Sequence, residues 1–374
     1  MMRNHDVGAE PPVVASDLKT SIDSVSTDRR TMMAVTAGGL VSALLGMTTT
    51  SAQATSGIGL VGSAQAQTGG ASPSPTPWWP SKYGKDDQIG ATNLITPAKI
   101  VDALKLVKTG KVYEMSHPYE SSMPKFGERA FLLRIPGGPT GGPLGANNVI
   151  YNDGFVATEI GQIGTQMDGL GHIGMAFKGE DRSEMRFYNG FTAAEINGAY
   201  GLKKLGVENV KPIVTTGHLF DVAGLKGRNL NLGEEITVAD LEGCLTRQKV
   251  AADAIKSGDC VFLNTGWGSL WNKDNAQFVK GEPGIGLDAA KWLISKDVVL
   301  IGADTWAIEV VPNPDAKLAF PVHQELLAKN GIHIHENLVT SELAANGVWS
   351  FCYIMLPLMI KGATGSPGRP IALV

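Results

Sequence analysis

The sequence predicts a single compact α/β domain, and three observations predict it. The chain of 374 residues is 43% hydrophobic, enough to bury a sizeable core. Beyond Trp78, short runs rich in β-branched or aromatic residues alternate with segments of helical apolar spacing. No repeat of fixed period and no break in composition divides that part of the chain.

The elements follow in order. Arg29-Arg30 precedes the mildly apolar stretch Met32 to Met47, and the small-residue patterns Ala52-Gln53-Ala54 and Ala64-Gln65-Ala66 follow, so residues 1–66 resemble a twin-arginine signal region cleaved near 54 or 66. The expected location is the periplasm, or export by an equivalent route. Gln67 to Pro77 is built from Gly, Ser, Pro, Thr, Ala and Gln and reads as a flexible tether, which places the folded domain at 78–374. Apolar spacing predicts a helix over Pro97 to Lys108, with Thr96 as N-cap, Pro97 at the first position and Gly110 as terminator. Phe131 to Asn152, rich in Gly and Pro, reads as a long loop. Buried strands are expected at Pro212 to Leu219, Cys260 to Leu263, Val298 to Ile301 and Phe351 to Leu356. Helices are expected at Thr237 to Ser257, Leu287 to Ser295 and Pro321 to Lys329.

Composition excludes several functions. A formal charge of -4 with 18% charged residues supplies no basic field for nucleic acid. Cys244, Cys260 and Cys352 are too widely spaced for a thiolate zinc site and read as buried free thiols. No run of eighteen apolar residues appears, so no membrane span is expected in the mature protein.

The chemistry concentrates in two places. Gln162, Gln166, Asp168 and His172 fall within one glycine-rich run; if that run is extended, Gln166 and Asp168 share a face, as two ligands of one ion would. Asp168 is a hard anionic ligand, Gln166 a neutral carbonyl donor, and His172 a ligand or a base. Downstream stand His323 and the run His333, Ile334, His335, Glu336. In an extended segment His333 and His335 face away from Glu336, and both read as surface histidines rather than ligands. Thr265-Gly266 and Ser269 suggest a serine hydrolase less well, because no GxSxG elbow surrounds them.

These residues resemble the cyclase family of metal-dependent hydrolases, which includes bacterial kynurenine formamidase and isatin hydrolase. The family signature is HxGTHxDxPxH, and this chain carries QIGTQMDGLGH from Gln162 to His172. Gln162 and Gln166 replace the two metal-binding histidines, and Leu170 replaces the proline. The stretches DDQIGATNLITP, GDCVFLNTGW, IGADTWAIEVVP, PVHQELLAKNGIHIHENL and KGATGSPGRPIA carry the resemblance through most of the chain beyond Trp78. It implies a swivelling β/α/β domain, His323 and Glu336 as the late metal ligands, His172 as the general base, and a homo-oligomer.

The resulting expectation is a metal-assisted hydrolase of a small amide, lactone or ester. Asp168, Gln166, His323 and Glu336 hold the ion, and His172 moves the proton of a metal-activated water. Two carboxylates, an imidazole and an amide suit Mn²⁺ better than Zn²⁺. Gln162, Thr165, Asp304 and Trp306 are the expected substrate-side residues, although Asp304 could equally cap a turn and Trp306 simply pack. The other reading is an exported small-molecule binding protein that has lost catalytic ligands.

Overall fold

The computed structural model describes residues Pro77–Val374, so the signal region and all but the last residue of the tether lie outside the described residues. A mixed sheet of nine strands organises the rest. In chain order they are β1 (Val112–Glu114), β2 (Gln166–Asp168), β3 (Ile213–Asp221), β4 (Cys260–Asn264), β5 (Leu300–Ala303), β6 (His333–Glu336), β7 (Ser350–Met355), β8 (Gly365–Pro367) and β9 (Ile371–Leu373). Across the sheet they run β1-β9-β7-β3-β4-β5-β6-β2-β8. The centre, β3 to β6, is parallel, and the flanking pairs are antiparallel.

A parallel strand covered on both faces has no polar side to show, so it reads as an unbroken apolar run. Cys260-Val261-Phe262-Leu263 and Leu300-Ile301-Gly302-Ala303 are such runs, and every residue of β4 and β5 is buried. The expected strands recur here with ends shifted by up to two residues. Among the described residues all three cysteines are free and buried, and no helix is long and apolar enough to cross a membrane.

Among the helices, those that correspond to the expected ones are α1 (Pro97–Leu104), α2 (Val238–Gln248), α3 (Leu287–Ile294) and α4 (Pro321–His323), the last running on as a π-helix over Gln324–Asn330. Thr96 caps α1 by accepting from the Lys99 N–H. The helix stops four residues before Lys108, because Leu106 and Val107 donate to carbonyls three residues back and wind the chain into tighter turns. Thr237 and Asp240 form a capping box on α2, which stops at Gln248 rather than Ser257 because Lys249 turns left-handed at φ 56°.

The segment from Phe131 is not a loop. Phe131–Arg134 pairs with Phe155–Thr158, and within the interval between them Gly141–Leu144 pairs with Val149–Tyr151, making two nested antiparallel ribbons. The glycines and prolines supply the turns, while Phe131, Leu132, Leu133, Phe155 and Val156 supply β-forming side chains.

Candidate active site

The site forms where β6 meets β2. Gln166 lies directly across from Glu336 in the antiparallel register, and Asp168 lies across from Ile334 on one side and Gly365 on the other. Cross-strand partners in such a pair hold their side chains together, and the Gln166 amide N–H donates to a Glu336 carboxylate oxygen. The third contributor, His323, sits in the first turn of α4. Asp168, His323 and Glu336 each offer one ligand atom, and those atoms all lie within 4.8 Å of one another.

Tight backbone geometry makes this convergence possible. Gly161 (φ +69°) passes so close to Gly365 that a Cβ would lie 2.2 Å from its carbonyl carbon. Asn337, immediately after Glu336, is left-handed at φ 56°, and Thr165 donates its hydroxyl to the Asn337 carbonyl at 2.6 Å.

His323 Nε2 faces Glu336 Oε1 at 3.3 Å and Asp168 Oδ2 at 3.7 Å. Its Nδ1 lies 2.5 Å from Glu309 Oε1. Burial alone would lower the His323 pKa, but the hydrogen bonds and charges of Glu309 and Glu336 outweigh it and raise the group to about 10. Burial and the neighbouring Asp168 charge push Glu336 up to about 7. Behind the cluster Glu282, fully buried and accepting the Trp306 and Ala307 N–H groups, is also pushed upward by burial and by Glu336. Acidic groups thus surround one imidazole, a surplus of potential negative charge that a divalent cation would neutralise. Asp168 Oδ2 and Gln166 Oε1 are buried with no hydrogen-bond partner. Unpaired buried oxygens are costly unless something else binds them, so the donor set fits a cation.

Over the cluster opens a cavity of about 140 Å³ lined by Phe126, Arg129, Gln162, His172, Trp306 and Phe320, with His323 and Glu336 at its base. His172 Nε2 is 3.9 Å from Asp168 Oδ2. Burial lowers the His172 pKa, opposed by Asp168 and aided by His323 and Arg129. Phe126 stacks on Trp306 with ring centroids 4.4 Å apart.

The structure therefore brings Asp168, Gln166, His323, Glu336, His172, Gln162 and Trp306 together. Gln162 donates to Asp168 Oδ1 at 3.2 Å, and Gln166 spends its N–H on Glu336, so both amides bond to the carboxylates. Thr165 lies outside the cavity lining, fully buried, and ties β2 to the chain after β6. Asp304 does not line this cavity: its carboxylate accepts from the Thr265 N–H and hydroxyl and from the Gly266 N–H. It borders a second, larger cavity of about 440 Å³ with Asn264, His117 and Trp271. Among the described residues no cluster able to hold a metal lies there, so the smaller cavity is the better candidate. His333 and His335 are fully buried rather than on the surface, His333 on the Asp168 carbonyl and His335 on the Tyr353 hydroxyl.

Glu309, Arg129, Phe126 and Phe320 were not singled out from the sequence. Glu309 left a trace there, an acid inside the apolar run Trp306 to Val311, since a charge in such a run is buried only with partners. The aromatics and Arg129 left none.

The cyclase family model matches residues 113–310. A crystal structure of a novel cyclase is 35% identical, covering 78% of this chain and 96% of that one, with a TM-score of 0.69. Isatin hydrolase A from Labrenzia aggregata, solved with benzyl benzoate, is 17% identical, covering 71% of this chain and 93% of its own, with a TM-score of 0.50, a likeness of fold. No curated protein sequence matches.

Proposed function

The chain belongs to the cyclase family, and on that premise we propose that it is a metal-assisted hydrolase of a compact amide, lactone or ester. One observation carries the reading: the ligand atoms of Asp168, His323 and Glu336 lie within 4.8 Å of one another, and His172 overlooks them. Asp168, His323 and Glu336 would hold the cation, with Gln166 Oε1 available as a fourth donor. When bound, a divalent cation supplies Lewis acidity for a carbonyl and lowers the pKa of water. Two carboxylates and an amide oxygen beside one imidazole favour Mn²⁺ over Zn²⁺.

His172 does the proton work. Its lowered pKa leaves the imidazole neutral near pH 7, able to accept a proton from water and return it to the leaving group. Arg129 offers a guanidinium to an oxygen on the substrate, and Phe126, Trp306 and Phe320 give flat apolar walls. A cavity of about 140 Å³ falls below the roughly 300 Å³ usual for drug-sized ligands, which supports a single-ring or short linear substrate. The same reading includes self-association. Leu132, Leu133, Phe155 and Val156 are each 50–58% exposed on the ribbon, a surface that a second copy would cover.

Metal analysis of protein purified without chelators, coupled to a panel of cyclic amides, linear formyl amides, lactones and esters, tests the proposal. Bound metal and metal-dependent turnover are expected. Full activity without metal would sink it, and affinity without turnover would identify a binding protein instead.

A further inference from the structure

Building on the metal site proposed above, we propose that Glu309 is the positioning residue that fixes the ring of His323 for cation binding. Glu309 is 1% exposed and directs its carboxylate at the start of α4. Oε2 accepts the Val322 N–H at 3.1 Å, and Oε1 accepts the His323 N–H at 2.9 Å. The helix needs both bonds, because Pro321 has no N–H and Phe320 provides no side-chain cap. A third bond goes further than capping requires: Oε1 also lies 2.5 Å from His323 Nδ1.

That bond decides which nitrogen faces the site. With the Nδ1 proton donated to Glu309, the other nitrogen, Nε2, points at Glu336 Oε1 and Asp168 Oδ2, 3.3 and 3.7 Å away. A carboxylate behind a ligating imidazole also raises its basicity and stops the ring from turning. The backbone supports the placement at some cost, since Ile308, the residue before Glu309, is held at φ 54°, a conformation that β-branched residues resist.

The experiment titrates Mn²⁺, and separately Zn²⁺, into metal-stripped wild type and Glu309→Gln by calorimetry, and records the thermal midpoint of each metal-free protein. Glu309→Gln should bind about 10–100-fold more weakly, the usual effect of removing such a partner. A lower midpoint with unchanged affinity would reduce Glu309 to a helix cap and overturn the inference. A wild type that binds neither ion would overturn the metal site itself, whereas binding that is equal in both proteins overturns only the role of Glu309. If Glu309→Gln does not fold, the imidazole ¹⁵N spectrum of Mn²⁺-free, Zn²⁺-loaded wild type decides. The His323 proton is expected on Nδ1, and a proton on Nε2 refutes the assignment.

Discussion

His172 and Asp168 lie four residues apart and 3.9 Å from each other, yet removing them should have different consequences. His172 is proposed to move a proton, so His172→Ala should lower kcat by ~10²-fold or more while leaving bound metal unchanged. Asp168→Asn turns the proposed anionic ligand into a neutral one and should lower metal occupancy along with rate. Metal analysis beside steady-state kinetics on both variants separates the two, and equal metal loss in both would remove His172 from the proton role. Burial places the wild-type His172 pKa below 6.5, so kcat/KM should fall on the acid side only beneath that value. Asp168, His172, His323 and Glu336 were legible in the sequence because the glycine-rich run and the late His-Glu run set them among recognisable neighbours. Glu309 was not, because its contact with His323 is made by a chain reversal between β5 and α4 that no local spacing reveals. Asp304 stayed open between two roles for a related reason. An acid after a strand can serve substrate or turn, and only the Thr265 and Gly266 donors show which.

At the level of elements, the site depends on how closely β2 approaches its neighbours. Gly161 is left-handed, and its Cα hydrogen occupies the space where a Cβ would meet the Gly365 backbone. Gly161→Ala therefore combines a left-handed backbone penalty of about 1–2 kcal/mol with overpacking worth roughly 1–3 kcal/mol. Denaturant unfolding should show the loss, together with weaker metal binding as β8 is pushed away from β2; an unchanged midpoint would show that the contact relaxes freely. Strands were the most legible elements, because β4 and β5 are apolar throughout and buried on both faces. Helix ends were less so, since the apolar period persists past Leu104 and Gln248 into turns that keep the spacing without the helix. The π-helix after His323 was not separable from an α-helix in sequence, and Pro321 to Lys329 reads simply as helix. The Phe131 ribbon was missed because its partner, Phe155–Thr158, lies across a glycine-rich interval that resembles a loop.

For the whole molecule, histidines outside the candidate metal site make folding sensitive to acid. Burial lowers His117, whose ring stacks on Trp271 at 4.2 Å, to about 4, and lowers His335, hydrogen-bonded to the Tyr353 hydroxyl, to about 3. In the unfolded chain both groups titrate near 6.5. Between that value and the folded one, the unfolded state binds protons that the folded state refuses. Their stabilising contribution is therefore complete above pH 6.5 and is lost as pH falls through the folded values, on the order of 1–2 kcal/mol for each by pH 5. The site carboxylates pull the other way: Glu336, raised to about 7 in the metal-free protein, keeps a proton that the unfolded chain releases above its ordinary value of 4.5. Its effect makes the folded state less stable as pH rises from 4.5 toward 7, so the wild-type curve is a sum of opposing slopes. His117→Phe isolates one of them, because phenylalanine keeps a ring against Trp271 and removes the titration. Urea unfolding of wild type and His117→Phe at pH 7.5 and pH 5 should show the variant losing less stability on acidification, with the difference close to the contribution of one histidine. If both proteins lose the same amount, the His117 imidazole takes up its proton in the folded state as readily as in the unfolded one, and burial at that position does not govern acid stability.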